Sequence, residues 1–164
     1  TSIPGSTSQL QGSVVNQLLL IMKNDADGAQ RAAAHILAVA LREDEKFIAR
    51  VIAGDGLNIL CQLAATGNRD TVRFALGALH HIIPALELRK SVIALHNAGA
   101  IPHICSLLRE KGRDGPLAAA RLLGDISDDD FIKQAVREAG GLAPLVALLQ
   151  VPEQQVRSCA ALTL

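Results

Sequence analysis

One segment of this chain reads Ala139-Gly140-Gly141-Leu142-Ala143-Pro144-Leu145-Val146-Ala147-Leu148-Leu149. It combines a glycine turn with apolar residues spaced like one face of an α-helix. The same pattern recurs upstream, and its first apolar residue forms a column 42, 44 and 41 residues apart, at Val15, Leu57, Ile101 and Leu142. A period in the low forties is typical of helical repeat arrays, in which each unit buries its apolar face against its neighbours.

Two further columns repeat the same three steps. One consists of alanines and the other of leucines, at Ala33, Ala75, Ala119 and Ala160 and at Leu37, Leu79, Leu123 and Leu164. The leucine follows the first column by 22 residues in every unit, so the variation in length lies between units. We predict one repeat domain over residues 13–164, with units at about 13–43, 44–86, 87–127 and 128–164. Residues 1–12, rich in Ser, Thr and Gly, are predicted to be a flexible leader.

Each complete unit is predicted to contain three helices. A short apolar helix, at about residues 47–52, 92–96 and 131–136, leads into a glycine turn, since glycine can take the left-handed conformation that redirects the chain. A second helix begins at the first column. An alanine-rich third helix follows after a loop, at about residues 29–41, 71–83, 116–126 and 153–164. The predicted fold class is therefore all-α.

The composition excludes several functional classes. Sixteen basic residues balance sixteen acidic ones, so the net charge gives no sign of a surface built for a phosphate backbone. Aromatic residues make up only 2% of the chain, which leaves few stacking platforms for single-stranded nucleic acid. No long uninterrupted apolar stretch indicates a membrane span. We expect neither a nucleic-acid partner nor a membrane span.

The three cysteines are predicted to be reduced and structural. Cys61 and Cys105 share one repeat position with Leu19 and Val146, so this position is expected to lie in the core. Cys159 lies beside the alanine column. An odd number of cysteines in such positions is typical of an intracellular protein, and we expect a cytoplasmic or nuclear location, or both.

Two polar clusters suggest chemistry but have structural explanations. His80 and His81 are adjacent, so on a helix their rings point about 100° apart and cannot share a metal ion without further ligands. The register places His81 on the inner surface and His80 toward a flank. The run Asp128-Asp129-Asp130 is expected to cap a helix. Because no phosphate-binding loop or nucleophile motif occurs, we expect no enzymatic activity, no metal and no cofactor.

Three segments resemble armadillo repeats: residues 139–149, Asn97-Ala98-Gly99-Ala100-Ile101-Pro102, and Val156-Arg157-Ser158-Cys159-Ala160-Ala161-Leu162. The resemblance covers about residues 14–164. It implies a right-handed α-α superhelix of about four repeats, incomplete at both ends. It also implies a non-enzymatic scaffold that binds a protein or peptide segment on a concave groove lined by the third helices.

The repeat register assigns six residues to this groove: Arg31, His35, Arg73, His81, Arg121 and Asp125. Family members of the importin-alpha type hold extended peptides with ladders of Trp and Asn. At those rows this chain has His35, Gly77, Arg121 and Leu162, and Val39, His81 and Asp125. We therefore do not expect the family's usual recognition of nuclear-localisation signals. A mildly basic groove would suit an acidic or polar segment.

Two alternatives to the groove remain open. The first is a structural or self-assembling module that associates with itself through uncapped ends, where Leu162 would be exposed. The second is an accessory interaction domain of a larger protein, such as a ubiquitin ligase or a signalling protein. Sequence alone does not separate a groove from an end as the binding surface.

Overall fold

The computed structural model describes the backbone of residues 6–164 and the side chains from residue 12 onward. Within this range the chain forms eleven α-helices and no strand, which confirms the all-α prediction. The helices are α1 (Ser6–Asn24), α2 (Asp27–Glu43), α3 (Lys46–Ala53), α4 (Gly56–Thr66), α5 (Arg69–Ile82), α6 (Leu88–Asn97), α7 (Ala100–Leu107), α8 (Asp114–Ile126), α9 (Asp130–Glu138), α10 (Leu142–Leu148) and α11 (Gln154–Thr163). A 3-10 turn, Ile83–Ala85, follows α5.

The helices group into units of three. Complete triplets are α3 to α5, α6 to α8 and α9 to α11, whereas α1 and α2 are the second and third helices of the first unit. Residues 6–12, predicted as part of a leader, form the first turns of α1, because extending a nucleated helix adds one backbone hydrogen bond per residue. Residues 1–5 of that predicted leader lie outside the described residues.

The third helices form one continuous layer. α2 packs on α5, α5 on α8, and α8 on α11. The second helices α1, α4 and α7 pack in the same order, and the short helices α3, α6 and α9 each contact the second helix of the preceding unit. Each unit is therefore held mainly by its neighbours, as in a solenoid.

Small aliphatic side chains fill the space between these layers. All four alanines of the alanine column are buried, and so are Leu37, Leu79 and Leu123. Cys61 and Cys105 are also fully buried, as their repeat position predicts. Burial raises the pKa of the Cys61 thiol to about 12 and that of Cys105 to about 11. Both thiols are therefore protonated at neutral pH and act as small core residues.

Two positions of the predicted core are exposed in the last unit. Val146 is 53% exposed and Leu142 is 39% exposed. In earlier units the next unit covers these positions: Leu19 faces the turn at Gly54, and Cys105 faces Gly141. The prediction that Val146 lies in the core is wrong, because no described residue packs over it.

The turn between the first and second helices uses a left-handed residue at one repeat position. Its φ is 63° at Asp55, 69° at Gly99 and 70° at Gly140. The prediction that a glycine takes this conformation is confirmed in the third and fourth units. It is wrong in the second unit, where Asp55 takes it. Aspartate tolerates it because a short polar side chain can bond locally. The Asp55 carboxylate accepts a hydrogen bond from Asn58 Nδ2 at 2.6 Å.

Polar side chains cap helices as the sequence predicts. Asp129 Oδ1 accepts hydrogen bonds from the backbone N–H groups of Phe131 and Ile132, at 2.9 and 3.4 Å. Asn68 Oδ1 accepts one from the backbone N–H of Thr71 at 3.0 Å. The aspartate run is thus a cap. Among the residues that the structure describes, no group of three or more His, Cys, Asp or Glu could hold a metal ion.

No single helix of the described range combines the length and the apolar composition that a membrane span requires. α3 and α4 together have the required length and apolar composition, but they are bent by 81° at the break between them. Most side chains of α4 are buried in the repeat core.

Substitution of Ala119 by Asp tests the packing of the alanine column. The Ala119 side chain has no exposed surface, so the new carboxylate would be buried without a partner. We expect Ala119→Asp to lower the free energy of unfolding by about 3 kcal/mol or more, measured by urea denaturation. The matched control is Ala32→Asp, at an exposed position of α2, which should cost less than about 1 kcal/mol. Equal losses would contradict this role of the alanine column.

Candidate functional site

The exposed side of the third-helix layer brings together the six predicted groove residues. Arg31 and His35 lie on α2, Arg73 and His81 on α5, and Arg121 and Asp125 on α8, and all six are exposed or half-buried. These three helices pack side by side, so the six residues occupy neighbouring units. We call this surface the inner face; it also includes Asp70, Phe74, His80 and Asp114, which contact the six.

Arginines and aspartates alternate along the first turns of these helices. Arg31 Nη1 lies 3.8 Å from Asp70 Oδ2, Arg73 Nη2 donates to Asp70 Oδ1 at 2.9 Å, and Arg73 Nη1 lies 3.5 Å from Asp114 Oδ2. Each arginine thus pairs with the aspartate of the next unit at an equivalent repeat position. The sequence predicts a mildly basic groove, and in the structure two of its arginines, Arg31 and Arg73, are paired with these aspartates.

An aromatic platform lies beside the ion pairs. The His35 ring stacks on Phe74, with ring centroids 4.5 Å apart and an interplanar angle of 30°. The Arg73 guanidinium lies 5.5 Å from the centroid of the same ring. Sequence reasoning did not assign Phe74 to the site. The sequence does contain a signal for Phe74: it is an aromatic residue at a repeat position where the neighbouring units have alanine, Ala32 and Ala118.

His80 joins α5 to α8. Its Nδ1 lies 2.5 Å from Asp125 Oδ2, and the ring N–H donates because an ionised carboxylate can only accept. The register placed His80 toward a flank and did not predict this contact. Asp125 is therefore already hydrogen-bonded within the inner face.

Arg121 is the inner-face arginine that forms no hydrogen bond or ion pair with any residue in the described part of the chain. The pKa of the nearby His81 is lowered, first by burial and then by electrostatic repulsion from His80, Arg121 and Arg42, whereas Asp125 acts in the opposite direction. Arg42, His81 and Arg121 lie on three successive third helices, and we call them the basic line. Arg42 Nη2 lies 3.8 Å from Glu43 Oε1, and both side chains are exposed to solvent.

A separate cleft of about 340 Å³ lies between α6, α7 and α9. Its walls are mainly apolar, including Ile101, Pro102 and Ala135, with His96 and Glu138 at its edge. The His96 ring packs edge-on against Phe131, with centroids 4.7 Å apart. None of the six predicted site residues lines this cleft.

Solved structures with this fold include repeat proteins made by design. An engineered protein is 25% identical, with a TM-score of 0.71, and the match covers 91% of this chain and 60% of that one. A designed armadillo repeat protein in complex with the peptide (KR)4 is 21% identical, with a TM-score of 0.69, covering 91% and 62%. Computationally designed armadillo repeat proteins for modular peptide recognition give 21% identity and a TM-score of 0.71, again covering 91% and 62%.

These likenesses define the class of fold: the chain is an armadillo-type helical solenoid, as the resemblance of residues 97–102, 139–149 and 156–162 implies. It spans about 60% of the length of the engineered protein. No protein-family model matches the chain, and no curated protein matches it.

The lowered pKa of His81 predicts a specific pH dependence of stability. In the unfolded chain His81 titrates near its usual value of 6.5, so on acidification the unfolded state takes up this proton first and the fold loses stability. In His81→Gln this contribution is absent. We expect a smaller loss of unfolding free energy between pH 8 and about pH 5.5 in the variant, measured by urea denaturation. An identical loss in both proteins would contradict the lowered pKa.

Proposed function

We propose that this chain is a non-enzymatic scaffold that binds an extended segment of another protein along the inner face, across α2, α5 and α8. The observation that supports it most is the arrangement of exposed side chains. The aromatic platform of His35 and Phe74 joins α2 to α5, and the basic line crosses α2, α5 and α8 diagonally. Such a surface extends over successive units in one direction, which suits an extended ligand.

Dimensions support an extended ligand. Packed helices lie about 8–10 Å apart, and an extended chain places side chains on the same side about every 7 Å. A segment of a few residues that crosses the layer would therefore meet α2, α5 and α8 in turn. Two of the solved neighbours, by their descriptions, bind the peptide (KR)4 or serve modular peptide recognition. This supports peptide binding as the use of the fold, although the ligand of this chain is a separate question.

The ligand contacts proposed here differ from the ladders of Trp and Asn in peptide-binding armadillo proteins. At the tryptophan row this chain has His35, Gly77 and Arg121. Gly77 leaves a gap in the middle of the inner face, since a Cβ added there would meet only the Cβ of Ala38, at 3.9 Å. A bound segment can therefore approach the backbone of α5 closely at this point.

Filling the gap at Gly77 tests the proposal. Gly77→Gln adds a side chain at a position where a Cβ has no close contact, and it should stabilise α5 by about 0.5–1 kcal/mol because glycine is a poor helix former. We expect this variant to bind library-selected peptides about tenfold more weakly or worse, a loss of about 1.4 kcal/mol. Peptides would be selected from a random displayed library on the immobilised parent chain and measured by fluorescence anisotropy.

The matched control is Gly12→Gln, because Gly12 lies on α1 and a Cβ there has no neighbour within 4 Å. This control should retain the parent affinity. If Gly77→Gln bound the selected peptides as tightly as the parent does, the inner face would not be the binding surface.

Self-association is a second candidate, favoured by the exposed face of the last unit. Leu142, Val146 and Leu164 are exposed there, whereas the equivalent residues of the earlier units are buried. A second copy of the chain could cover them as a following unit does elsewhere. Sedimentation velocity over a wide range of concentration should then show a rising mass for the parent and a constant monomer mass for Val146→Glu. A parent that stays monomeric throughout would exclude this candidate.

A further inference from the structure

The inner face has a defined charge preference, and this inference rests on the function proposed above. We propose that the bound segment is acidic and that its carboxylates are received by the basic line formed by Arg42, His81 and Arg121. The partner is thus a stretch of protein with spaced Asp or Glu residues. The charges, the burial and the spacing of the inner face each support this assignment.

The first support is the charge balance of the inner face. Its three aspartates already have cationic or hydrogen-bonding partners: Asp70 with Arg31 and Arg73, Asp114 with Arg73, and Asp125 with His80. Arg121, by contrast, has no such partner among the described residues. Arg121 is therefore the inner-face arginine that is available to a ligand, whereas a basic segment would have to compete with existing contacts for each of these three carboxylates.

The second support is the environment of Arg121. The side chain is half-buried, so part of its hydration is lost in the free protein. A guanidinium can donate two parallel hydrogen bonds to one carboxylate, and such charge-assisted pairs are about twice as strong as neutral hydrogen bonds. A carboxylate at Arg121 would replace the missing water contacts. A neutral amide would do so less well.

The third support is the spacing of the basic line. Arg42, His81 and Arg121 lie on α2, α5 and α8, one residue on each helix. His81 is equivalent to Val39, three residues before Arg42, and Arg121 is equivalent to Gly77, four residues before His81, so the basic line crosses the three helices diagonally. With helices about 8–10 Å apart, a rise of about 1.5 Å per helical residue and about 3.4 Å per extended residue, consecutive members of the line are separated by about three residues of an extended segment. A segment with closely spaced carboxylates can therefore reach this line on each helix.

Protonation of His81 should be coupled to binding. The groups around it are Arg42 on α2, His80 on its own helix, and Arg121 and Asp125 on α8. Burial lowers the pKa of His81 most, followed by His80, Arg121 and Arg42, whereas the Asp125 carboxylate raises it. A bound carboxylate would raise it further, so binding should favour the protonated ring. Affinity for an acidic segment is therefore expected to rise as the pH falls from about 8 to 6, where Asp and Glu of the ligand stay ionised.

The test uses three fluorescein-labelled peptides in which serine alternates with glutamate, glutamine or lysine. We expect the glutamate peptide to bind the parent chain at least about tenfold more tightly than the glutamine peptide, with the lysine peptide weakest. Raising the salt concentration should weaken the glutamate peptide most, because exposed charges are screened. Anisotropy titrations give all three dissociation constants.

Two variants assign the effect to the basic line. Arg121→Gln should lower the affinity for the glutamate peptide about tenfold and leave that for the glutamine peptide unchanged. The matched control, Arg137→Gln, removes an exposed arginine of α9 and should leave both affinities unchanged. His81→Gln should abolish the rise in affinity between pH 8 and about pH 6.

The outcomes separate the charge preference from the function itself. If the glutamate peptide bound no better than the others, or if Arg121→Gln bound it as well as the parent does, the acidic preference would be wrong. The proposed function would survive that result provided that Gly77→Gln still weakened library-selected peptides. If the lysine peptide bound more tightly than the glutamate peptide, the inner face would prefer a basic segment and the proposed acidic ligand would be wrong.

Discussion

Alanine side chains at Ala33, Ala75, Ala119 and Ala160 allow the third helix of each unit to approach its neighbours closely, and the rest of the structure depends on that approach. Because these positions are fully or almost fully buried, each third helix lies against the next and the four form one layer. The leucine column and the buried cysteines then fill the space toward the second helices. A single layer of parallel helices leaves one side uncovered, and this side is the inner face.

Packing between units also determines which charges remain available on that face. The distance between neighbouring third helices is short enough for Arg31 to reach Asp70, for Arg73 to reach Asp114, and for His80 to reach Asp125. These contacts link consecutive units, but each is partly solvated, so their contribution to stability is small. Their larger effect is on recognition. The arginine–aspartate contacts balance the charges of Arg31 and Arg73, and the His80 contact occupies Asp125. Arg121 is left without such a partner, near His81.

Much of the fold could be predicted because its determinants are local or periodic. Helix positions follow from apolar spacing, and the cap at Asp129 follows from its place before a helix. The glycine turn was predicted at Gly99 and Gly140, but Asp55 takes the left-handed conformation in the second unit, since aspartate also tolerates it. Val146 was misassigned to the core because a column of equivalent residues shows repetition and does not show whether a following unit covers the last member.

The candidate site, like the fold, was predictable from the sequence only in part. Sequence by itself determined the repeat register, and the register placed Arg31, His35, Arg73, His81, Arg121 and Asp125 on one exposed side, because the helical period and the unit length are properties of the chain. Only the tertiary structure decided which of these side chains already have partners. Pairing across units depends on distances between helices that are about forty residues apart in sequence, and no local pattern encodes those distances. Phe74 and His80 joined the site for this reason, and Arg121 emerged as its unpaired arginine.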